Sequence, residues 1–581
     1  MANGVDDMMN ANGIECERYA RTTIEIYLPD GTVLSGPRNS PVGKFLQAIQ
    51  KPDQPLIVGA VVNGELRELT YPLEMDAQVR PVTMADSDGA RIYRRSITFL
   101  LEVAFEELFP DGKLTIDHSV ASGGYYCQVV GIPGGLKATG IHRLEAKMRD
   151  LVVQDLPFER QNVPLDEAIA YFQSRGHEDK VRLLHYRQKD HLVLYRLGEH
   201  RDYHHGYMVP STGYLTVFAL RKMGEGFVLR YPRRQSPNQL LRMPAYPKLL
   251  STFRQYGNWL GKLGIESVGA LNDAIQDGRT REIILVAEAL HELRIAEIAG
   301  QIAQRRQNIR VVLIAGPSSS GKTTFSKRLS VQLLAQGISP YPLEMDNYFV
   351  DRELTPKDEN GAYDYEALDT LNRPLMNDHL KRLIAGEAVQ IPHYNFKSGK
   401  SEPGDIVQLD AGQLIILEGI HGLNPNLLPQ IPPEQTFRIY VSCLTQLNLD
   451  RHNRISTTDT RLLRRIVRDA RERGYTAQQT IHGWESVRRG EKRNIFPYQE
   501  NADLMFNSAL VYELSGLKPL VEPLLRQVPY GTPEHIEAKR LLAFLEWFLP
   551  VDLELVPDNS IFREFVGGSI LRDFKLWNHG S

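Results

Sequence analysis

Nine residues, GPSSSGKTT (Gly316 to Thr324), stand between the apolar run VVLIA and the helically spaced FSKRLSVQLLAQG. The spacing GxxxxGK[ST] is met in full, in the strand, loop and helix setting that gives it meaning. A loop of this kind commits the surrounding chain to an α/β unit with a parallel sheet. N–H groups from Gly316, Ser318, Ser319, Ser320, Gly321 and Thr324, with the following helix N-terminus, converge on phosphate oxygens. Lys322 then neutralises the outer phosphates, and the Thr323 hydroxyl is a ligand for Mg2+. The plainer alternative is a structural Gly/Ser turn.

Two further strand-like stretches end in carboxylates. SPYPLEMD closes on Asp346, and QLIIL runs directly into Glu418. Strand ends on the carboxyl side of a parallel sheet line one crevice, so both acids are expected beside the phosphate loop. Asp346 is placed to take a proton from an acceptor hydroxyl, and Glu418 to hold magnesium directly or through water. Taken singly, either acid reads as a cap or a surface residue.

The segment TTDTRLLRRIVRDARERG sets Arg461, Arg464, Arg465 and Arg468 on one helical face and Leu463, Ile466, Val467 and Ala470 on the other. Alone this is a solvated face. In the same domain as a phosphate loop it reads as a lid whose guanidinium groups close over the transferring phosphoryl group and exclude water.

At 581 residues and 42% apolar content the chain exceeds what one compact core serves, so several domains are expected. A net charge of -3 gives no general bias toward nucleic acid or membrane. Cys16, Cys127 and Cys443 are too dispersed for a metal knuckle or disulfide scaffold, which fits a reducing, cytoplasmic setting. The first twenty residues have neither a basic start nor an apolar stretch and read as a disordered tail. LLAFLEWFLPV, with its Glu and Pro, is too short to span a bilayer, so no membrane association is expected.

Residues 21–85 alternate in short strands, with TIEIYL, TVL and an Asn63-Gly64 turn inside AVVNGELREL. PDGTVL and AVVNGELREL resemble the TGS domain, a ubiquitin-like fold found in threonyl-tRNA synthetases and some GTPases. Residues 90–250 are similar to the second additional, α+β domain of threonyl-tRNA synthetase. That family builds a zinc-type site from HxxxH and CxxxH pairs. Here RRSITFLL and YHHGYMVPSTG put Arg95, Phe99, His204 and Met208 at those positions. One imidazole does not make a three- or four-ligand site, so the metal and the editing chemistry are expected to be absent. His200, His204 and His205 are expected as polar surface histidines. Arg91, Arg94 and Arg95 are expected as a solvated basic face, with contact to a polyanion as the alternative.

Residues 251–308 read as a helical connector, 309–530 as the phosphate-loop domain, and 531–581 as a helical tail that packs back on the body. GPSSSGKTT, MDNYF, YDYEALDTLN, QIPHYNFKSGK, LIILEGIHGLN, TRLLRRIVRD and ENADLMFNSAL follow in the order of the uridine kinase and phosphoribulokinase family. The resemblance implies an ATP- and Mg2+-dependent kinase for a nucleoside or similar ribose-bearing hydroxyl. By it, Asp346 is the base, Asp364 contacts ribose, Tyr394 and Phe396 line the acceptor pocket, and Arg464, Arg465 and Arg468 belong to the lid. The acid segment YDYEALD is shorter than the family's, so Glu366 takes the place of Asp364 under a shifted alignment. Gly399 stands where the family carries a base-contacting His, which leaves the acceptor unnamed.

A GTPase switch is disfavoured, because TQLN at 445–448 lacks the Lys and Asp that read guanine. The alternative from a different class is an RNA-associated regulatory ATPase whose front domains bind tRNA-like structure. A homo-oligomer is left open.

Overall fold

The computed structural model describes residues 21–120, 123–357, 361 and 363–574. The expected N-terminal tail, with Cys16, lies outside the described residues. Cys127 and Cys443 are both buried and free.

The chain is multidomain, α/β and α+β. Its first unit is a five-stranded mixed sheet packed on the short helix Val42–Gln47, with Ile26, Leu46, Val62 and Val79 in the core. Asn63 and Gly64 both take positive φ (49° and 83°), the conformation a two-residue hairpin needs, and they join Ile57–Val62 to Glu65–Arg67.

The second unit is built around the 22-residue helix Ser87–Leu108, which buries Ile97, Leu100, Leu101 and Ala104. Against it stand a four-stranded antiparallel sheet that includes Lys113–Val120 and Gly124–Val130, and a three-stranded sheet around His191–Leu197.

The third unit holds a five-stranded, wholly parallel sheet in the order Pro340–Glu344, Leu414–Glu418, Val311–Ala315, Thr436–Ser442, Leu504–Asn507. Val311–Ala315 is the central strand and is buried along its whole length, which its unbroken apolar run requires.

The segment expected as a connector packs on this unit through its last helix. In its last helix, Thr280–Gln304, Ile295, Ile298 and Ile302 join one hydrophobic core with Ile314 and Phe325. The C-terminal helix Pro533–Leu545 adds Leu541 and Leu545 to the same core. Among the described residues no helix is long and apolar enough to cross a membrane.

Candidate active site

The phosphate loop leaves the central strand at Ala315 and enters the helix Lys322–Ala335. Its glycines answer to two constraints. A Cβ on Gly316 would lie 1.9 Å from the carbonyl oxygen of Val441, on the neighbouring strand. Gly321, the helix N-cap, takes φ 84°, which favours a residue without Cβ. Ser319 is held in the same left-handed region at φ 57°. The Ser319 and Ser320 hydroxyls are buried without a hydrogen-bond partner, a cradle of donors that fits phosphate oxygens.

Sheet register delivers the acids. Glu344 pairs directly with Glu418 across the two neighbouring strands, and Asp346 follows two residues later on a 3-10 turn. The Thr323 hydroxyl donates to Glu418 Oε1 at 3.0 Å. This puts both expected metal-holding residues in one place, and their oxygen donors suit magnesium.

Asp346 is exposed at its surface, yet the protein packed around its carboxyl lifts it to about 6. Glu344 adds to that rise and Lys322 opposes it. Burial raises Glu418 to about 7 against the pull of Lys322, with Glu564 and Glu344 adding to the rise. Glu366 is raised to about 7 by burial and by Glu491, with Arg465 and Lys322 opposing. Lys322 therefore sits in the field of three carboxyls of raised proton affinity, with Arg465 also opposing the rise at Glu366.

Of the two candidates for the acceptor-side acid, Asp364 ion-pairs with Arg493 at 3.1 Å. Glu366 presses against the helix Ala477–Asn494 where Gly490 leaves room, since a Cβ there would lie 2.2 Å from that of Glu366. Tyr394 is buried and Phe396 exposed, on a hairpin, with ring centroids 5.1 Å apart. Phe349, three residues beyond Asp346, completes the trio at 5.5 Å from Tyr394. Gly399 lies in the hairpin turn at φ 72°, with its carbonyl accepting from the Arg352 N–H at 2.8 Å.

In the arginine helix (Thr457–Arg473), expected as a lid with a solvated face as the alternative, the basic side chains are already engaged. Arg464 is fully buried: its Nε donates to Glu513 at 2.6 Å and its Nη2 to the Ser508 carbonyl at 2.8 Å. Arg461 is equally buried on Glu491 and donates to the Ser318 carbonyl at 2.9 Å. Arg465 reaches the Ser318 hydroxyl at 3.0 Å, and Arg468 pairs with Asp469 at 3.2 Å. The helix braces the phosphate loop from behind. Its apolar and basic faces are both packed, because Glu491 and Glu513 come from other helices that a helical wheel does not contain.

The C-terminal segment also reaches the loop. Glu564 Oε2 accepts from the Thr324 N–H at 3.1 Å and from its hydroxyl at 2.9 Å, and Ile561 packs over Gly321. Sequence reading does not single out Glu344, Phe349 or Glu564, although Phe349 closes the MDNYF motif. For Glu344 the strand-end position was the available signal.

Of the second unit's histidines expected at the surface, His204 is buried and His200 and His205 are half-buried. His204 is buried with Nε2 at 3.5 Å from Glu102, and His200 lies 3.0 Å from Glu106. Burial lowers His205 to about 3. Glu102, Asp202 and His204 bring potential ligand atoms within 4.8 Å of one another, a set in which His204 alone stands at one of the family's ligand positions. Asp202 already holds Lys180 at 2.8 Å and lies 3.0 Å from the His452 ring, so the cluster has polar partners of its own, the Lys180 ammonium among them.

Comparison with known proteins matches the Phosphoribulokinase / Uridine kinase family over residues 311–515 and the TGS domain over residues 24–83. A 218-residue stretch is 34% identical to the threonine–tRNA ligase of Laribacter hongkongensis, covering 37% of this chain and 34% of that one. The threonine–tRNA ligase of Methylococcus capsulatus is 35% identical over 182 residues, 31% of this chain and 28% of its own. The chain thus spans about a third of the length of the curated relatives it matches. A structure described as a possible uridine kinase from Bacillus stearothermophilus aligns at 18% identity and a TM-score of 0.24, over 36% of this chain and all of that one. D-glycerate 3-kinase from Cryptococcus neoformans aligns at 14% identity and a TM-score of 0.26, over 36% and 90%. The chain therefore carries a domain of the Phosphoribulokinase / Uridine kinase family at residues 311–515, behind a TGS domain at residues 24–83 and together with a stretch similar to threonine–tRNA ligases.

Proposed function

We propose that the chain is an ATP-dependent kinase that phosphorylates a hydroxyl of a nucleoside-like, ribose-bearing small molecule. The observation that carries this reading is the pairing of Glu344 with Glu418, which brings Asp346 into the field of Lys322 at the mouth of the phosphate loop. The loop N–H groups and Lys322 hold the nucleotide phosphates. Thr323 and Glu418 would hold magnesium, which supplies charge neutralisation of the phosphates. Asp346 accepts the acceptor's proton as its oxygen bonds to the γ-phosphorus, the bond to the β-phosphate oxygen breaks, and ADP leaves. Glu366 and the rings of Phe349, Tyr394 and Phe396 line the acceptor side. A carboxyl near 6 serves this role, since it is ionised at neutral pH and more basic than an ordinary aspartate.

A panel of nucleosides and ribose-bearing metabolites, assayed for ADP release with Mg-ATP, tests the reading. Release that depends on one acceptor, and nearly vanishes in Lys322→Ala, is the expected result. Equal release with and without every acceptor would replace transfer by hydrolysis.

The second reading is an RNA-associated regulatory ATPase. The similarity to threonine–tRNA ligases favours it, as does the Glu564 contact, which sets a carboxylate against the phosphate loop. Filter binding of tRNA at two salt concentrations separates it from the first.

A further inference from the structure

Behind the arginine helix, where the second unit meets the kinase-like domain, lies a cavity of about 290 Å³. Nine guanidinium or ammonium groups and three carboxylates line it. The carboxylates are already engaged: Glu537 by Arg91 and Arg540, Asp459 by Arg540, and Glu485 by Arg234. Arg94, Arg95, Arg233, Arg454 and Lys492 have no ion-pair partner among the described residues, and all five are half-buried. The expected solvated basic face is thus drawn inward, because Arg94 and Arg95 lie on the helix Ser87–Leu108 where it faces the kinase-like domain.

Concentrating like charges in a partly desolvated cleft costs free energy that an anion would recover. Burial, then Arg91 and Arg540, lowers Arg95 to about 10. Burial, then Arg488 and Arg233, lowers Lys492 to about 8. The Arg454 Nε is buried without a hydrogen-bond partner, and the guanidinium sits 5.5 Å from the centroid of Tyr125. Planar donors of this kind match phosphate oxygens.

We propose that this cleft binds a small molecule carrying two or more linked phosphates, at a site separate from the phosphate loop. The five unpaired cations exceed the charge of a single phosphate, about 1.5 to 2 at neutral pH, and match that of a di- or triphosphate chain. They converge in one cavity, whereas an extended nucleic-acid backbone is tracked by a long groove. The helix Ala477–Asn494 joins the two sites: Arg488 faces the cleft and pairs with Glu491 at 3.3 Å, and Glu491 accepts the Ser318 N–H at 3.1 Å.

The test is calorimetric titration of the full chain with inorganic tripolyphosphate, without magnesium, at low and moderate salt. Lys322→Ala is expected to retain binding, and Arg233→Gln/Arg454→Gln to weaken it at least tenfold, with marked salt dependence. Lys492→Gln, a milder change, should weaken it severalfold. The unliganded double variant should melt no lower than wild type at low salt, because repulsion has been removed, and tripolyphosphate should no longer raise its melting temperature. Binding abolished by Lys322→Ala alone, or unaffected by the cleft variants, would overturn the proposal. So would an RNA oligonucleotide that binds through Arg233 and Arg454 and is not displaced by tripolyphosphate, which would assign the cleft to RNA.

Discussion

Glu564 accepts two hydrogen bonds from Thr324, one from its backbone N–H at 3.1 Å and one from its hydroxyl at 2.9 Å. Thr324 is the third residue of the phosphate-loop helix, where N–H groups point out of the helix and favour an anion. The carboxylate of the C-terminal segment thus takes donors that a nucleotide phosphate would use. Glu564→Gln should lower the dissociation constant for Mg-ADP by roughly threefold to tenfold, the effect of removing one like charge at close range. Calorimetric titration reads it directly, and unchanged or weaker binding would show that the segment supports the site.

Periodicity groups Arg464 with Arg468, but the two should behave differently. Arg464→Ala leaves Glu513 buried without its partner and should cost about 3–5 kcal/mol. Arg468→Ala, whose partner Asp469 keeps Arg465 and Arg473, should cost less than about 1 kcal/mol. Urea midpoints compare the two. A lid role for Arg464 would instead lower turnover with no change in midpoint.

The raised carboxyls make a pH prediction. Asp346, Glu366 and Glu418 have folded values near 6, 7 and 7, above those of an unfolded chain, so the native state holds the extra protons. Their contribution to stability is full below about pH 4 and is lost as pH rises through 6 to 7. Magnesium favours the ionised forms, so it should raise the melting temperature at pH 8 and have little effect at pH 5.5. Melting curves with and without MgCl2 at the two pH values check this, and an equal gain at both would contradict it.

Much of the site was legible because its logic is local. A complete phosphate-loop motif, an apolar strand before it and acids at the ends of two further strands are each contained within about ten residues, and the parallel sheet brings them together. The Asn63-Gly64 turn was legible for the same reason. What escaped depends on partners distant in sequence. Glu491 and Glu513 engage the arginine helix, Glu564 comes from 240 residues beyond Thr324, and Glu102 with Asp202 lies against His204, which looked superficial. No periodicity records such partners, since each is set by how separate units pack.

The base assignment is tested most directly by single-turnover ADP formation with saturating Mg-ATP and an acceptor identified from the panel, across pH 5 to 8, in wild type and Asp346→Asn. The wild-type rate should rise about tenfold per pH unit below about 6 and level off above it, while the variant should be at least about a hundredfold slower at pH 7.5 and lack that inflection. A variant matching wild type in rate and pH dependence would contradict proton transfer to Asp346.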